Sequence, residues 1–198
     1  MANKKNTQLE EHRKIQIIID VFKLLGQDSY RNMSLEKVAR ESGISKGLVS
    51  YYFKGKEALI VETMRFVDSN IMSQLLAIAM EDAPASVRVE KFIDTLFPSR
   101  EDVEQWLRFH AEVWSFAKSS PSHLKQVRLF YEDIRKICLR MSQKAKEEGF
   151  LKNKDPKKFA HLMNALIEGY FLQVFFWPTL SIEEVKEQIK EVIEMYFS

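Results

Sequence analysis

Apolar residues recur every three or four positions along nearly the whole chain, and this spacing limits the possible folds more than any other feature. One example comprises Ile15, Ile18, Phe22 and Leu25, which share one face only if the segment is an α-helix. No stretch of similar strength alternates apolar and polar residues, as a half-buried strand does. Because glycine and proline supply only six and five of the 198 residues, few breaks interrupt the pattern. The sequence predicts an all-α protein of about nine helices.

Capping residues and breaks give approximate bounds for these helices. The early part of the chain predicts a helix over 15–25, two short helices that begin after Ser34 and Ser45, and a long helix over about 56–80. Later helices are expected at about 86–97, 101–117, 121–149, 156–177 and 182–197. The best-marked starts are the pairs Ser99 with Asp102 and Ser181 with Glu184, which resemble capping boxes, and Asp155 before Pro156.

The segment from Leu35 to Lys54, LEKVARESGISKGLVSYYFK, carries the strongest local motif. Two short helices that cross steeply need a small residue at the crossing, a residue that tolerates positive φ in the turn, and an apolar residue later. Ala39, Gly43 and Val49 supply these at spacings of four and six residues. This is the spacing of a helix-turn-helix, whose second helix enters the major groove of DNA.

The charges are distributed unevenly along the chain. Residues 1–60 contain 11 lysines and arginines against 7 acidic residues, whereas residues 61–198 contain 19 against 21. A basic segment on a nearly neutral chain favours binding of a polyanion at that end. The second short helix adds Lys46, Ser50 and Tyr51, side chains that bind phosphate oxygens or base edges. A solvated basic helix, with its tyrosines packed on neighbours, is the structural alternative.

Residues 10–65 resemble the DNA-binding domain of the TetR family of bacterial repressors. The string GISKGLVSYYFKGKEALI, from Gly43 to Ile60, is similar to the most specific stretch of that family. Ser50 stands where many members carry tyrosine, and with the aromatic residues that follow it resembles the choline-responsive betaine-pathway repressors (BetI-type). Looser similarity continues at Trp106–Phe109 and Ala165–Tyr170. The resemblance covers most of the chain and is most specific in the N-terminal part.

This resemblance implies a ligand-responsive transcriptional regulator, namely a repressor that a small-molecule effector releases from its operator. Residues 8–56 are then the DNA-binding domain, and residues 57–198 bind the effector and form a homodimer. The implied partners are double-stranded operator DNA, the effector and a second copy of the chain. The implied DNA-binding residues are Ser34, Lys37, Ser45, Lys46, Leu48, Ser50, Tyr51, Tyr52 and Lys56.

Aromatic residues in the C-terminal part indicate the chemistry of the effector. In TetR-like proteins the helices that correspond to this part enclose the effector. Aromatic rings with a carboxylate attract a cation, so a quaternary ammonium compound is expected, and choline is the first ligand to test. Either Glu112 or Asp133 could supply the carboxylate. The predicted effector-binding residues are Trp106, Phe109, Glu112, Trp114 and Tyr131, and core packing is the alternative role for each.

Wide apolar faces on the last two predicted helices exceed what one small domain can bury. The family resemblance implies that these helices from two subunits form a four-helix interface, in which glycine allows close backbone approach. The alternative is that the same surface packs within one chain. The implied interface residues are Phe159, Leu162, Leu166, Gly169, Phe171 and Ile189.

The sequence carries no pattern typical of an enzyme or a metal centre. Its four histidines and Cys138 lack metal-ligand spacing, and GxGxxG, P-loop and GxSxG motifs are absent. We therefore expect no catalytic residues, metal ligands or cofactors. The longest uncharged run, residues 169–182, has 14 residues, whereas a membrane span needs about 20. A single cysteine and an N-terminus without an apolar segment favour a cytoplasmic protein.

Two other functions are also compatible with the sequence. One is a dimeric helical protein that binds a small molecule but not DNA, and the other is a regulator that acts through protein partners. The basic face at Lys46, Tyr51 and Lys56 argues against the first. Binding of operator DNA would distinguish a repressor from both.

Overall fold

The computed structural model describes residues 2–117, 120–149 and 154–197, with side chains over 8–117, 120–149 and 154–196. Every regular element in these ranges is an α-helix, and no strand occurs among them. Nine helices fall within the described residues. The all-α prediction is therefore confirmed.

The helices follow the predicted order, and most of their ends lie within two residues of the predicted bounds. They are α1 (Ala2–Leu25), α2 (Leu35–Glu41), α3 (Lys46–Tyr52), α4 (Lys56–Met80), α5 (Ala85–Leu96), α6 (Arg100–Ala117), α7 (Pro121–Glu147), α8 (Pro156–Phe176) and α9 (Ile182–Phe197). The exception is α1, which begins well before residue 15. Its first residues are mostly polar, so they carry no apolar stripe that periodicity could detect.

Side-chain caps determine where the two short helices begin. The hydroxyl of Ser34 accepts the N–H of Lys37 at 3.2 Å, and the hydroxyl of Ser45 accepts the N–H of Leu48 at 3.2 Å. Each bond satisfies one amide group that the first helical turn leaves unpaired. Both helices are therefore fixed by contacts between residues only three positions apart.

Caps also mark the starts of two later helices. Ser181 and Glu184 form a reciprocal capping box before α9: the N–H of Ser181 donates to the Glu184 carboxylate at 2.9 Å, and the N–H of Glu184 donates to the Ser181 hydroxyl at 3.0 Å. Asp155 caps α8 by accepting the N–H of Lys157 at 2.9 Å. Pro156 occupies the first turn of that helix, where its missing N–H costs nothing.

Contacts within the chain divide it into two compact units. The N-terminal unit comprises Met1–Asp68 and Arg108–Val127, and the C-terminal unit comprises Ser69–Leu107 and Arg128–Ser198. Helices α4, α6 and α7 each contribute to both units. The boundary predicted after residue 56 stays a prediction, because a division by contacts is not a division by function.

The N-terminal unit has one apolar core, to which α1–α4 and α6 contribute. Its most deeply buried members include Val21, Leu25, Val49, Phe53, Leu59, Met64, Phe109 and Val113. Helix α3 contributes Val49 to this core, and Phe53 follows directly after the helix. The rest of α3 is thereby held at the surface by a small number of buried anchors.

The C-terminal unit has a separate core built from α5 and from parts of α4 and α6–α9. Its buried members include Leu75, Phe92, Ile93, Phe97, Val103, Ile137, Val174, Val185 and Ile189. Arg100, the first residue of α6, donates to the carbonyl of Val174 at 2.5 Å. That carbonyl lies in the last turn of α8, where helical amides can no longer satisfy it. Arg100 therefore ties the end of α8 to the start of α6.

Candidate functional site

The predicted helix-turn-helix is formed by α2 and α3. The turn between them passes through Gly43, whose φ of 64° lies in the left-handed region that favours glycine. The N–H of Ile44 donates to the carbonyl of Ala39 at 2.9 Å, which ends α2. Ala39 and Val49 are both buried in the N-terminal core. The small, turn-forming and apolar residues of the motif thus occupy the places that their spacing predicts.

The surface of α3 opposite the core is polar and exposed. Its exposed residues are Lys46, Gly47, Ser50 and Tyr51, and the exposed Lys54 follows the helix. The side chain of Tyr51 is 70% exposed, and its ring lies 5.3 Å from the ring of Tyr52 between centroids. A large ring that packs so little of its area on its own chain is suited to contact another molecule.

Lys46 forms an exposed ion pair with Glu36 of α2. The two side chains are 57% and 60% exposed. The hydrogen bond from Lys46 lowers the pKa of Glu36. Because water screens such a pair, it contributes little to folding stability. The ammonium group can therefore exchange Glu36 for a phosphate oxygen at low cost.

Lys37, in the first turn of α2, has a more confined setting than Lys46 and contacts the loop before that helix. It pairs with Asp28, and the two side chains are only 25% and 26% exposed. The hydrogen bond from Lys37, followed by bonds from Asn32 and from the N–H of Ser29, lowers the pKa of Asp28 to about 2. Lys37 thus holds the loop in place and is less available to DNA than Lys46.

Lys56, the first residue of α4, also contacts this loop. Its ammonium group donates to the carbonyl of Tyr30 and lies 4.0 Å from the centroid of the Tyr30 ring. Burial lowers the pKa of Lys56. A phosphate contact by Lys56 stays a prediction, and the phosphate would have to share the ammonium group with Tyr30.

The other predicted DNA-binding residues differ in what their side chains already do. The hydroxyls of Ser34 and Ser45 are used as helix caps. Leu48 and Tyr52 are half-buried, and Tyr52 packs against the N-terminal core. Ser50 is exposed on α3 and has no capping role.

Three of the predicted effector-binding residues lie in the N-terminal unit. Phe109 is fully buried in its core, with its ring centroid 5.1 Å from that of Phe22. The Glu112 carboxylate accepts the N–H of Tyr30 at 2.8 Å. The ring of Trp114 lies 5.8 Å from that of His110 between centroids. Phe109 and Glu112 therefore have evident structural roles in this unit.

The other two predicted effector-binding residues, Trp106 and Tyr131, lie in an aromatic cluster of the C-terminal unit. The ring of Trp106 lies 5.8 Å from Phe130 and 5.0 Å from Phe171 between centroids. The rings of Phe130 and Tyr131 are 5.5 Å apart. Asp133, the alternative carboxylate, forms an exposed ion pair with Lys136 at 2.8 Å. The predicted effector set is thus divided between the two units.

A buried acid–histidine pair in the N-terminal unit was missed by sequence reasoning. His110 Nε2 lies 3.1 Å from Asp68 Oδ1, and the side chains are only 2% and 6% exposed. Asp68 Oδ2 is buried and has no hydrogen-bond partner among the described residues. The partners are 42 positions apart, so no local pattern in the sequence points to this pair.

The predicted interface residues of α8 and α9 lie at very different depths. Phe159 and Ile189 are 5% and 1% exposed and belong to the C-terminal core, so as placed they offer a partner almost no surface. The Phe171 ring stacks on Phe97 with centroids 4.7 Å apart. Leu166 is half-buried against the same core, whereas Leu162 is 43% exposed. A Cβ added to Gly169 would meet nothing within 4 Å in this chain.

Large apolar side chains are nevertheless exposed on α8, on α9 and at the residue that directly follows α8. They are Leu162, Leu172, Phe176, Trp177 and Met195, and we call this set the α8–α9 apolar face. Leu162, Gly169, Leu172 and Phe176 follow helical spacing along one side of α8. An exposed apolar surface of this kind is typical of a protein–protein interface.

The C-terminal unit also contains a small cavity that sequence reasoning missed. Its volume is ≈ 50 Å³, and α5, α7, α8 and α9 line it. Among the described residues that line it, Arg88 alone carries a formal charge. The sequence does contain one indication of this cavity. Arg88 interrupts the apolar face of α5 between Ala85 and Phe92, and a charged residue at a buried position is unusual.

Metal and membrane chemistry find no support in the part of the chain that the structure describes. Within it, no three histidine, cysteine, aspartate or glutamate side chains come together as metal ligands. Over the same residues, no helix combines the length and apolarity needed to cross a bilayer.

Two family models match the sequence. The model for bacterial regulatory proteins of the tetR family matches residues 21–63. The model for the C-terminal domain of the BetI-type transcriptional repressor matches residues 85–198, which is more than half of the chain. The first match contains the whole of α2 and α3.

Related proteins and solved structures agree with these matches. The HTH-type transcriptional regulator BetI from Proteus mirabilis (strain HI4320) is 25% identical over 198 residues, which cover 94% of this chain and 92% of that protein. A transcriptional regulator from Pseudomonas aeruginosa PAO1 has a TM-score of 0.79 at 24% identity and covers 94% of this chain and 91% of its own. A regulator from Saccharomonospora viridis, solved in complex with choline, has a TM-score of 0.83 at 18% identity over 93% and 96% of the two chains. Both structures show the same fold.

Proposed function

The chain belongs to the TetR family of bacterial regulators and carries a BetI-type C-terminal domain, and we propose that the exposed face of α3 reads its operator. The family consists of ligand-responsive, DNA-binding transcriptional repressors. The observation that carries the proposal is the joint exposure of Lys46, Ser50 and Tyr51 on a helix whose opposite face holds the buried Val49. Such a helix can enter the major groove without disturbing the core.

The side chains on this face have distinct roles in the proposal. Lys46 binds a phosphate and gives up its exposed pair with Glu36. Ser50 contacts a base edge, and the Tyr51 hydroxyl contacts a phosphate or a base. Lys37 and Lys56 support them by holding the loop before α2 through Asp28 and Tyr30.

We further propose that two chains associate through the α8–α9 apolar face. A two-fold dimer would place two α3 helices about 34–36 Å apart, one turn of DNA, or at a larger spacing on a longer operator. The exposed Leu172 and Phe176 offer apolar area that the single chain leaves in water. Gly169, with open space in front of it, allows close approach of the partner backbone.

For the effector, we propose choline as the first ligand to test, with the cluster around Trp106 as its site. Trp106, Phe130, Phe171 and Tyr131 supply aromatic faces in one place, and such faces attract a quaternary ammonium group. The BetI-type domain and the choline complex of the Saccharomonospora viridis regulator support this choice. The effector acts by binding, and we propose no catalytic role for the chain.

The DNA-binding proposal is tested with labelled duplexes from the region upstream of the protein's own gene. Fluorescence anisotropy gives the affinity of the wild type, of Tyr51→Ala and of a surface control, Leu129→Ala, on α7. Loss of the Tyr51 contact should weaken operator binding by about fivefold or more, since a good base contact contributes ~1–3 kcal/mol. The control should bind as the wild type does.

Two results would contradict the DNA-binding proposal. If Tyr51→Ala binds the operator as tightly as the wild type, the exposed face of α3 is not the reading surface. If the wild type binds no duplex from its own locus but does bind small molecules, a helical ligand-binding protein without DNA binding is the better description.

A further inference from the structure

Most of the described side chains that line the cavity of the C-terminal unit are apolar. Phe92, Phe159 and Ile189 are among the side chains that line it, and all three belong to the buried core. The Ser142 hydroxyl on its wall already donates to the carbonyl of Cys138 at 2.7 Å. Arg88 therefore dominates the electrostatics of the cavity.

Arg88 is a buried cation, and Glu148 is its one carboxylate partner among the described residues. Its side chain is 2% exposed, and its Nη2 lies 2.8 and 3.0 Å from the two carboxylate oxygens of Glu148. Its Nη1 donates to the carbonyl of Ala83. A guanidinium group at this depth needs an anion to offset its lost hydration. Glu148 supplies that anion from a position just beyond the end of α7, where its side chain is 29% exposed.

We propose that this cavity is a ligand site for a short aliphatic carboxylate. The ligand carboxylate replaces Glu148 on Arg88, and its apolar tail lies among the side chains of α5, α7, α8 and α9. The exchange keeps one anion on Arg88 throughout, so the buried cation is never left alone. Glu148 can move into water because its side chain is already partly exposed.

The same charge excludes the ligand proposed for the aromatic cluster. A quaternary ammonium group in this cavity would face the Arg88 guanidinium, and like charges at low local dielectric repel strongly. The cavity is therefore a second site with the opposite charge preference, distinct from the cluster around Trp106.

The size of the cavity limits the tail. Its volume of ≈ 50 Å³ is about a third of the ~150 Å³ cavity that accepts benzene in another protein. A tail of two or three carbons fits with little movement, whereas a longer tail, such as the five-carbon tail of hexanoate, must part the helices. Helices α8 and α9 also carry the α8–α9 apolar face. A ligand that moves them would therefore alter the proposed dimer, a consequence that rests on the proposed function.

Isothermal titration calorimetry on the full-length protein tests the site with hexanoate. Hexan-1-ol and hexyltrimethylammonium serve as the neutral and cationic analogues. We expect hexanoate to bind at least about tenfold more tightly than either analogue, because it alone can pair with Arg88. Filling the cavity with Ala145→Leu should abolish hexanoate binding while the protein stays helical by circular dichroism.

The variant Glu148→Gln tests the proposed exchange of anions most directly, through the change in hexanoate affinity. If Glu148 competes with the ligand for Arg88, its removal should strengthen hexanoate binding by about tenfold or more and enlarge the shift of the unfolding temperature that hexanoate produces. Arg88→Met should weaken binding by a similar factor. Glu90→Gln should leave binding unchanged, because Glu90 lies on α5, the helix of Arg88, but forms an exposed pair with Lys190 of α9.

Three results would overturn the proposal. They are equal binding of hexyltrimethylammonium and hexanoate, unchanged or weaker hexanoate binding by Glu148→Gln, and undiminished binding by Ala145→Leu. Operator affinity measured in parallel keeps the two proposals separate. Hexanoate binding by a protein that ignores its operator contradicts the DNA-binding role alone. Failure of hexanoate to bind a protein that recognises its operator contradicts the cavity site alone.

Discussion

The proposed DNA-binding surface of the N-terminal unit and the proposed ligand cavity of the C-terminal unit differ in how far apart in the sequence their contacting residues lie. In the first, Ser34 caps the helix of Lys37 three positions later. In the second, Arg88 pairs with Glu148 across 60 positions. A substitution in the first region removes one local contact, whereas a substitution in the second changes the packing of distant helices. The two regions should therefore respond differently to mutation.

The largest effect is expected from a charge placed in the C-terminal core. Phe159→Glu would bury a carboxylate at a position that is 5% exposed, which should lower the free energy of unfolding by more than about 3 kcal/mol. Leu172→Glu on the neighbouring exposed face should leave the helical content unchanged and dissociate the proposed dimer. Thermal unfolding and sedimentation velocity measure the two effects.

This pair of variants separates core from interface within one helix. If Phe159→Glu instead folds normally and sediments as a monomer, Phe159 faces a partner and the interface prediction from the sequence was right for that residue. A Leu172→Glu protein that stays dimeric would place the interface elsewhere.

Substitution of alanine for two glycines should change the free energy of unfolding in opposite directions. Gly43→Ala puts a Cβ on a residue with φ of 64°, which should destabilise the N-terminal unit by about 1–2 kcal/mol. Gly169→Ala lies inside α8 with open space around it, so it should stabilise the isolated chain by up to about 1 kcal/mol. Urea unfolding of both variants gives the two values, and destabilisation of the chain by Gly169→Ala would mean that its surroundings are closed.

Local chemistry explains which features the sequence could predict. Helix periodicity and caps such as Ser45 and Ser181 predicted the helices. The spacing of Gly43 from Ala39 and Val49 predicted the turn. The sequence did not reveal that Phe159 is buried within its own chain or that Glu112 is engaged by Tyr30. A helix period shows which residues share a face, but not whether that face meets its own chain or another.

A smaller effect is expected from pH. The pKa of Asp28 is lowered to about 2, first by the hydrogen bond from Lys37, so the folded state binds this proton less readily than the unfolded chain, where the pKa is about 3.9. The stabilisation is complete above the unfolded pKa and is lost as pH falls towards 2. The unfolding temperature of the wild type should therefore fall more steeply than that of Asp28→Asn between about pH 5 and pH 2. Parallel curves would show that the Lys37–Asp28 pair does not hold the loop.

The central claim is that α3 presents Lys46 to the DNA backbone, and the salt dependence of operator binding tests it most directly. Lys136 is the matched control, because it also forms an exposed ion pair, with Asp133 at 2.8 Å, but lies on α7 in the C-terminal unit. We predict that Lys46→Ala lowers the slope of log K against log salt concentration by about one unit, since each phosphate contact releases about one counterion. Lys136→Ala should keep the wild-type slope. Equal slopes for the wild type and Lys46→Ala would contradict the account.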